Sequence, residues 1–279
     1  MDKVIITIAP TGNVPTRNMT PHVPVTPEEI AGNIVDCYNA GASVAHIHAR
    51  DEKEMPTHRK DVFAAILKCL DEVRCPVIRQ LSTGGRHGKT FNERSENLTL
   101  NPEMASLSTG STNFPSMAYV NSPELIEFLA KDMQRRGIKP EIEVFDTAMI
   151  NNAVLLAERG LLEKPLLFNF VLGIKGALPA TPKNLLHLQE SIPKGSHWTV
   201  SVIGRQHVPL STIALAMGGN VRVGIEDNIY FSKGRLATNL ELVERMVQIS
   251  RLLGREIASP QEARQMLNLG YPQGAYPKL

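Results

Sequence analysis

The sequence predicts a closed (β/α)8 barrel (TIM barrel), and three observations predict this fold class. Eight short β-rich apolar runs alternate with helical patterns along the chain, which is typical of a parallel sheet. The length of 279 residues suits one such barrel, a single domain over 1–279. No GxGxxG motif follows the first run, and no GxxxxGKS or GxxxxGKT phosphate loop occurs. An open, doubly wound sheet remains the alternative.

The strands are predicted from the apolar runs, since short continuous runs of this kind suit strands buried on both faces. They cover residues 4–9, 44–49, 77–82, 104–108, 141–146, 166–173, 197–204 and 220–225. Their regular alternation with helices makes each run one strand of the same parallel sheet.

Helical patterns occupy the segments between the strands. In the first of them Thr26 can cap the helix, Pro27 suits its first turn and Gly41 can end it. Similar patterns cover 58–73, 122–137, 147–160, 181–192, 208–219, 239–254 and 259–270. Two of these follow the eighth strand, so we expect an extra C-terminal helix.

Composition and charge exclude several classes of function. The chain is 42% hydrophobic and 21% charged, with a formal net charge of +2, so no electrostatic footprint for nucleic acid is present. No apolar stretch approaches the roughly 20 residues of a membrane span. The N-terminal apolar run is too short for a signal peptide, and the three cysteines form no CxxC pair. We therefore expect a cytoplasmic protein.

A long proline-rich segment, residues 10–26, follows the first strand. In a barrel it would lie over the face where active sites are built. It could be a lid over that face or a contact between subunits, and the sequence favours neither.

Two histidines end the second strand in the run "VAHIHAR". Residues two apart on a strand point to the same side, so His46 and His48 should both face the barrel interior. Burying a polar group without a partner costs about 1–3 kcal/mol, so a buried pair needs a reason. Metal ligation supplies one, and the alternative is one structural histidine beside one general base.

A third ligand is predicted at the end of the eighth strand, in "RVGIED". Strand alternation places Arg222 and Glu226 on the interior side, with Glu226 near the catalytic rim. Two histidines and one carboxylate suit Zn²⁺, although Fe²⁺, Mn²⁺ or Co²⁺ can use the same set. Without the two histidines and Arg222, the simpler interpretation of Glu226 and Asp227 is a helix N-cap beside a solvent-exposed acidic residue.

Other polar residues follow the remaining strands. Backbone N–H groups at Gly84 and Gly85 could receive a carboxylate, although an ordinary turn is the alternative. A buried Glu143 would need a partner such as Arg222. Further polar candidates lie on or just after the third, fourth, fifth and seventh strands: Ser82, Thr83, Ser106, Ser108, Glu141, Arg205 and His207. The last two are equally well explained as a structural loop pair.

Taken together, the motifs "HIHAR", "QLSTGG", "PEMASLSTGSTNF", "PEIEVFD", "FVLG", "IGRQHVP" and "GGNVRVGIEDNIY" resemble the β-keto acid cleavage enzymes. The resemblance runs over nearly the whole chain. It implies a zinc-bearing TIM barrel, usually a homotetramer. It also implies a Claisen-type exchange in which a β-keto acid and acetyl-CoA give acetoacetate and a new acyl-CoA.

The resemblance also implies roles for particular residues. Three fall on the zinc ligands of the family: His46, His48 and Glu226. Three fall on substrate contacts: Ser82, Gly85 and Ser106, the last standing where a relative has threonine. Three fall on the proposed catalytic polar set, in which Asp227 would be the base: Glu143, Arg222 and Asp227.

One position departs from the pattern. A relative that acts on an amino-bearing substrate binds the ammonium group with an acidic residue, and the matching residue here is Val14. A valine cannot pair with an ammonium group. We therefore expect a neutral or apolar β-keto acid.

Two further hypotheses stay open at this point. Amidohydrolase-like barrels also use HxH on an early strand, and they add ligands from later strands. Lys175 and His197 are the available candidates, but Lys175 falls in a loop and His197 begins its strand at the wrong end. The other hypothesis is a metal-dependent binding or assembly protein without enzymatic activity.

Overall fold

The computed structural model describes residues 2–85 and 89–270, which form a closed eight-stranded parallel barrel. The first barrel strand (Ile6–Ile8) pairs with both the second (Val44–Ile47) and the last (Asn220–Val223), and this double pairing closes the barrel. The barrel strands are β1 (Ile6–Ile8), β2 (Val44–Ile47), β3 (Ile78–Leu81), β4 (Met104–Ser108), β5 (Lys139–Val144), β6 (Leu167–Leu172), β7 (His197–Val202) and β8 (Asn220–Val223). The predicted fold class is confirmed.

The helices that accompany these strands are α1 (Pro27–Ala40), α2 (Lys60–Glu72), α3 (Phe91–Ser95), α4 (Pro123–Arg136), α5 (Thr147–Glu158), α6 (Pro182–Ser191), α7 (His207–Ala216), α8 (Asn239–Leu252) and α9 (Pro260–Met266). Thr26 caps α1 in a capping box with Glu29, as the sequence pattern predicts. The five-residue α3 was not predicted, because a helix of little more than one turn carries no hydrophobic periodicity.

Six of the eight predicted strands are longer than the real ones, and two of these differences bear on the site. Strand β2 ends at Ile47, and Ala49–Arg50 instead pair antiparallel with Pro56–Thr57 in a hairpin. Strand β8 ends at Val223, because Gly224 has a φ of 150° and begins a turn. A Cβ at Gly224 would lie 2.0 Å from the Ala9 carbonyl oxygen, so only glycine allows this close approach to the end of β1.

The N-terminal end of the barrel interior is closed by an apolar cluster. Its members are Ile5, Val44, Ile78, Met104, Leu167, Ala258, Ala263 and Leu267, all buried. Backbone hydrogen bonds from Ala258 to Val4 and from Val4 to Glu256 attach the C-terminal segment, and with it α9, to β1. The predicted extra helix therefore packs under the barrel and forms part of its floor.

Among the described residues, no helix combines the length and the apolar character that a membrane span requires. The longest helices have 14 residues, and each presents polar residues on its outer face.

Candidate metal centre and active site

His46 and His48 lie together at the C-terminal end of β2. Their Nε2 atoms are 3.2 Å apart, and both side chains are buried. The expectation that the two imidazoles share the interior side is thus met, although His48 stands just past the strand. Burial lowers the pKa of His46 to about 3, with Arg222 and His48 acting in the same direction and Glu226 opposing. Neutral imidazoles are the form that binds a metal ion.

Glu226 completes the group from the turn after β8. Its Oε1 lies 3.7 Å from His46 Nε2 and 3.5 Å from His48 Nε2. Burial opposes ionisation, but His48, Arg222 and His46 outweigh it and hold the pKa of Glu226 well below its ordinary value. Gly12 permits this position, since a Cβ there would lie 2.5 Å from Glu226 Cγ.

The donor set fits a divalent metal ion. One ligand atom from each of His46, His48 and Glu226 lies within 4.8 Å of the others. Within the described residues, Oε2 of Glu226 is buried and has no hydrogen-bond partner. A buried carboxylate oxygen without a partner is costly, and a bound cation would remove that cost. Two histidines and one carboxylate leave a coordination position open for substrate.

Arg222 connects the metal centre to two further carboxylates. It forms a two-pronged ion pair with Asp227, at 3.0 Å from Nε and 2.6 Å from Nη2. It also reaches Glu226 Oε1 at 3.2 Å and Glu143 Oε1 at 3.4 Å. Burial raises the pKa of Asp227 to about 6, against the lowering influence of Arg222. A carboxylate with a pKa near neutrality is suited to general base chemistry.

Asp227 reaches Arg222 because of the turn after β8, and not because of strand alternation. Alternation continued past Val223 would point Asp227 away from Arg222, toward the helices. The turn that begins at Gly224 reverses the chain, with the Asp227 N–H donating to the Gly224 carbonyl at 3.1 Å. Both Glu226 and Asp227 consequently face the cavity.

Glu143 belongs to a second chain of hydrogen bonds. Ser108 donates to Glu143 Oε2 at 3.1 Å, and Ser108 Oγ lies 3.1 Å from the Tyr119 hydroxyl. Tyr119 lines the cavity from the hairpin Thr112–Phe114/Met117–Tyr119. Sequence reasoning missed Tyr119, because nothing in a loop sequence shows that a hairpin will fold back over the barrel mouth.

Gln80 was also missed. Its Oε1 lies 2.5 Å from His46 Nδ1, and the register of β2 and β3 places the two residues side by side. Strand alternation offered an indication: Gln80 shares the interior side with Ser82, two residues later.

The predicted substrate contacts divide into two groups. Val14, Ser82 and Gly84 line the cavity. Ser106 and Gly85 lie behind this wall: Ser106 Oγ accepts from the Thr83 N–H at 3.1 Å, and a Cβ at Gly85 would lie 2.3 Å from Arg94 Cδ. Their contact with substrate stays a prediction.

A cavity of about 300 Å³ at the C-terminal end of the barrel joins these groups. Its lining includes His48 and Glu226 of the metal centre together with the Arg222 network. Seven other lining residues are apolar, and we call them the apolar side of the cavity: Val14, Phe114, Pro115, Phe145, Val171, Ile174 and Ile203. A larger cleft of about 810 Å³ lies at the opposite end, beside Glu103 and Lys139, and contains none of these groups. TIM barrels place their active sites at the C-terminal end.

Two residues of the proline-rich segment after β1, Asn13 and Val14, line this cavity. Arg50 anchors the segment by donating to the carbonyls of Gly12 and Pro15 at 2.7 and 2.9 Å, and Arg17 pairs with Glu29 and Glu54. This position suits the predicted lid. A contact between subunits stays a prediction.

The remaining candidates lie elsewhere. His207 begins α7, where it contacts Asn228 and lies 3.1 Å from Arg245 Nη1. Arg205 is exposed beside it. Lys175 is exposed in the loop after β6, and His197 begins β7 at the N-terminal end. In the described part of the chain, neither joins the group that could hold a metal ion, so the ligands that an amidohydrolase-like site would need are not brought together.

Fold and site together define a TIM-barrel protein with a candidate metal centre and an adjoining arginine–carboxylate network. The chain belongs to the β-keto acid cleavage enzyme family, whose model matches residues 3–269.

Relatives and a solved structure agree with this assignment. The chain is 46% identical to a 3-keto-5-aminohexanoate cleavage enzyme of Fusobacterium nucleatum, covering 96% of this chain and 99% of the relative. It is 38% identical to a 3-oxoadipate:acetyl-CoA acetyltransferase of Cupriavidus necator, over 95% and 94% of the two chains. The ternary complex of ObcA with a C4-CoA adduct and oxalate superposes on this chain with a TM-score of 0.79. The match covers 89% of this chain and 68% of that one at 24% sequence identity, and it supports the barrel fold.

Proposed function

We propose that the protein is a zinc-dependent enzyme that exchanges a β-keto acid with acetyl-CoA, giving acetoacetate and a new acyl-CoA. One observation carries the proposal: a single cavity joins the His46–His48–Glu226 group to the Arg222–Asp227 pair. Membership of the family supplies the reaction class, and the name of one relative includes acetyl-CoA.

In this reaction Ser82 and the Gly84 backbone bind the carboxylate of the β-keto acid at the cavity wall. A metal ion at the His–His–Glu group supplies a Lewis acid for the keto group. Asp227 removes a proton from the carbon between the keto group and the carboxylate. Arg222 keeps Asp227 in place and, together with Glu143, balances the buried charge of this network.

The deprotonated carbon then attacks the acetyl thioester carbonyl, and the CoA thiolate leaves. The thiolate attacks the original keto carbon, and the carbon–carbon bond breaks with release of the acetoacetate carbanion. Asp227 returns its proton to that carbanion. Atoms and charges balance without an oxidant or reductant, because every proton removed is returned and the thiolate is consumed again.

The substrate is proposed to carry a neutral or apolar substituent. The apolar side of the cavity is the natural place for that substituent, and Val14 stands at its mouth, half exposed. The names of the relatives indicate substrates with an amino group in one case and a second carboxylate in the other. Neither charged group would find a partner among the apolar side chains that line this side.

Zinc is the proposed metal because two histidines with one carboxylate are typical of catalytic zinc sites, although Fe²⁺, Mn²⁺ and Co²⁺ can share the donors. A homotetramer and a cytoplasmic location remain predictions. Metal content of the purified protein and its mass in solution test the metal and the tetramer.

The decisive experiment is an assay of acyl-CoA formation with acetyl-CoA and a panel of β-keto acids. The panel contains apolar, amino-bearing and carboxylate-bearing members of equal chain length. We expect the apolar members to have the highest kcat/KM. Release of a carboxylic acid without any need for CoA would favour a hydrolase instead, and bound zinc without turnover of any member would favour a binding protein.

A further inference from the structure

Gln80 contacts the metal centre directly through His46. The Gln80 side chain is completely buried, and its Oε1 lies 2.5 Å from Nδ1 of His46. The contact joins neighbouring strands, since His46 and Gln80 are register partners in β2 and β3. It therefore rests on the barrel framework rather than on a loop.

The structure places the oxygen end of the Gln80 amide toward His46, with Oε1 at 2.5 Å from Nδ1. Within the described residues, the buried Nε2 at the other end of the amide has no hydrogen-bond partner. The contact with His46 is therefore the hydrogen bond that orients this amide.

An oxygen at this position determines the state of the imidazole. Oxygen accepts and cannot donate, so Nδ1 of His46 must carry the proton. The lone pair of the neutral ring is then on Nε2, and this is the atom that faces His48 Nε2 and Glu226 Oε1. Metal-binding histidines commonly use such a partner, which orients the ring and increases its basicity.

We propose that Gln80 is a positioning residue, which holds His46 in the ring orientation and tautomer that present Nε2 to the metal. This inference rests on the metal centre of the proposed function. Under this proposal, metal affinity depends on the pairing of β2 with β3 as well as on the two histidines.

The test measures Zn²⁺ affinity of the full chain stripped of metal, by competition with a chromophoric chelator, and the visible absorption of the Co²⁺-loaded protein. Gln80→Leu keeps the approximate shape but removes the acceptor, and we expect roughly 10–100-fold weaker Zn²⁺ binding with an altered Co²⁺ spectrum. Gln80→Glu restores an acceptor oxygen and should recover most of the loss.

Asn169→Leu is the matched control. Asn169 is another fully buried interior amide, on β6, and its Oδ1 accepts from Ser201 at 2.7 Å. Its loss should leave Zn²⁺ affinity unchanged even if thermal stability falls. Wild-type affinity in Gln80→Leu, or an equal loss in both leucine variants, would overturn the positioning role. Neither outcome would contradict the proposed reaction if acyl-CoA formation persists. A wild-type chain that bound no metal would instead contradict both this inference and the metal dependence of the proposed function.

Discussion

The two ends of the barrel interior differ in what fills them. The N-terminal end contains the apolar cluster of Ile5, Val44, Ile78, Met104 and Leu167, sealed from below by the segment around α9. The C-terminal end contains three carboxylates and one guanidinium beside two histidines, nearly all buried. The same eight strands thus bury apolar surface at one end and hold paired charges at the other. Stability and chemistry should therefore respond to different mutations.

The largest effect is expected from removing a metal ligand at the charged end. His48→Ala should abolish acyl-CoA formation and the binding of stoichiometric zinc, because the remaining two ligands leave the ion poorly held. Activity assays and metal analysis of the purified protein check this. His187→Ala, which changes an exposed histidine on α6, should affect neither quantity.

Asp227→Asn keeps the shape of the side chain but removes the base. We expect kcat to fall by about 10²–10⁴-fold with zinc content unchanged. Pre-steady-state or steady-state turnover under saturating substrates measures it. Wild-type turnover in this variant, together with inactivity of His46→Ala, would show that the base is another residue while the metal role is intact.

At the apolar end, Leu167→Ala should lower the free energy of unfolding by about 2–5 kcal/mol, since it leaves a cavity in the barrel floor. Chemical denaturation measures the loss. The zinc affinity of the folded protein should stay as in the wild type. Leu155→Ala on α5, where the leucine is half exposed, should cost much less.

Glu141 lies between the two ends and should make stability depend on pH. Burial raises its pKa from 4.5 to about 7, so the folded state retains the proton longer than the unfolded chain. Stability is then lost as pH rises from about 4.5 to 7, and the loss is at most about 3 kcal/mol. Glu141→Gln should remove this loss.

Denaturation curves at pH 5 and pH 8 test the role of Glu141. The stability of Glu141→Gln relative to the wild type should increase between the two values. A difference that does not change with pH would contradict the raised pKa.

The smallest effect concerns the apolar side of the cavity. Val14→Glu should improve kcat/KM for an amino-bearing β-keto acid relative to an uncharged one by about fivefold, the value of a solvent-exposed ion pair near 1 kcal/mol. Val14→Gln, which has similar size but no charge, is the control. An equal change in both variants would assign the effect to shape rather than to charge.

The sequence was informative wherever a short-range rule applies. Strand alternation placed His46 and His48 on one side correctly, and the capping residues located the start of α1. Alternation failed beyond Val223, where the turn at Gly224 brings both Glu226 and Asp227 to the cavity. Because Gly224 ends the strand, the residues that follow it no longer alternate between the interior and the exterior of the barrel.

By itself the sequence determined the barrel, the HxH pair and the family, because periodicity and motif spacing are local properties of the chain. Only the tertiary structure decided which distant side chains meet: Gln80 at His46, Tyr119 beside Ser108, and apolar residues from several loops in one cavity with the Arg222 network. Closure of the barrel sets these contacts. It brings β8, near the C-terminus, beside β1 and β2, near the N-terminus. A local sequence pattern contains no information on contacts between residues so far apart in the chain.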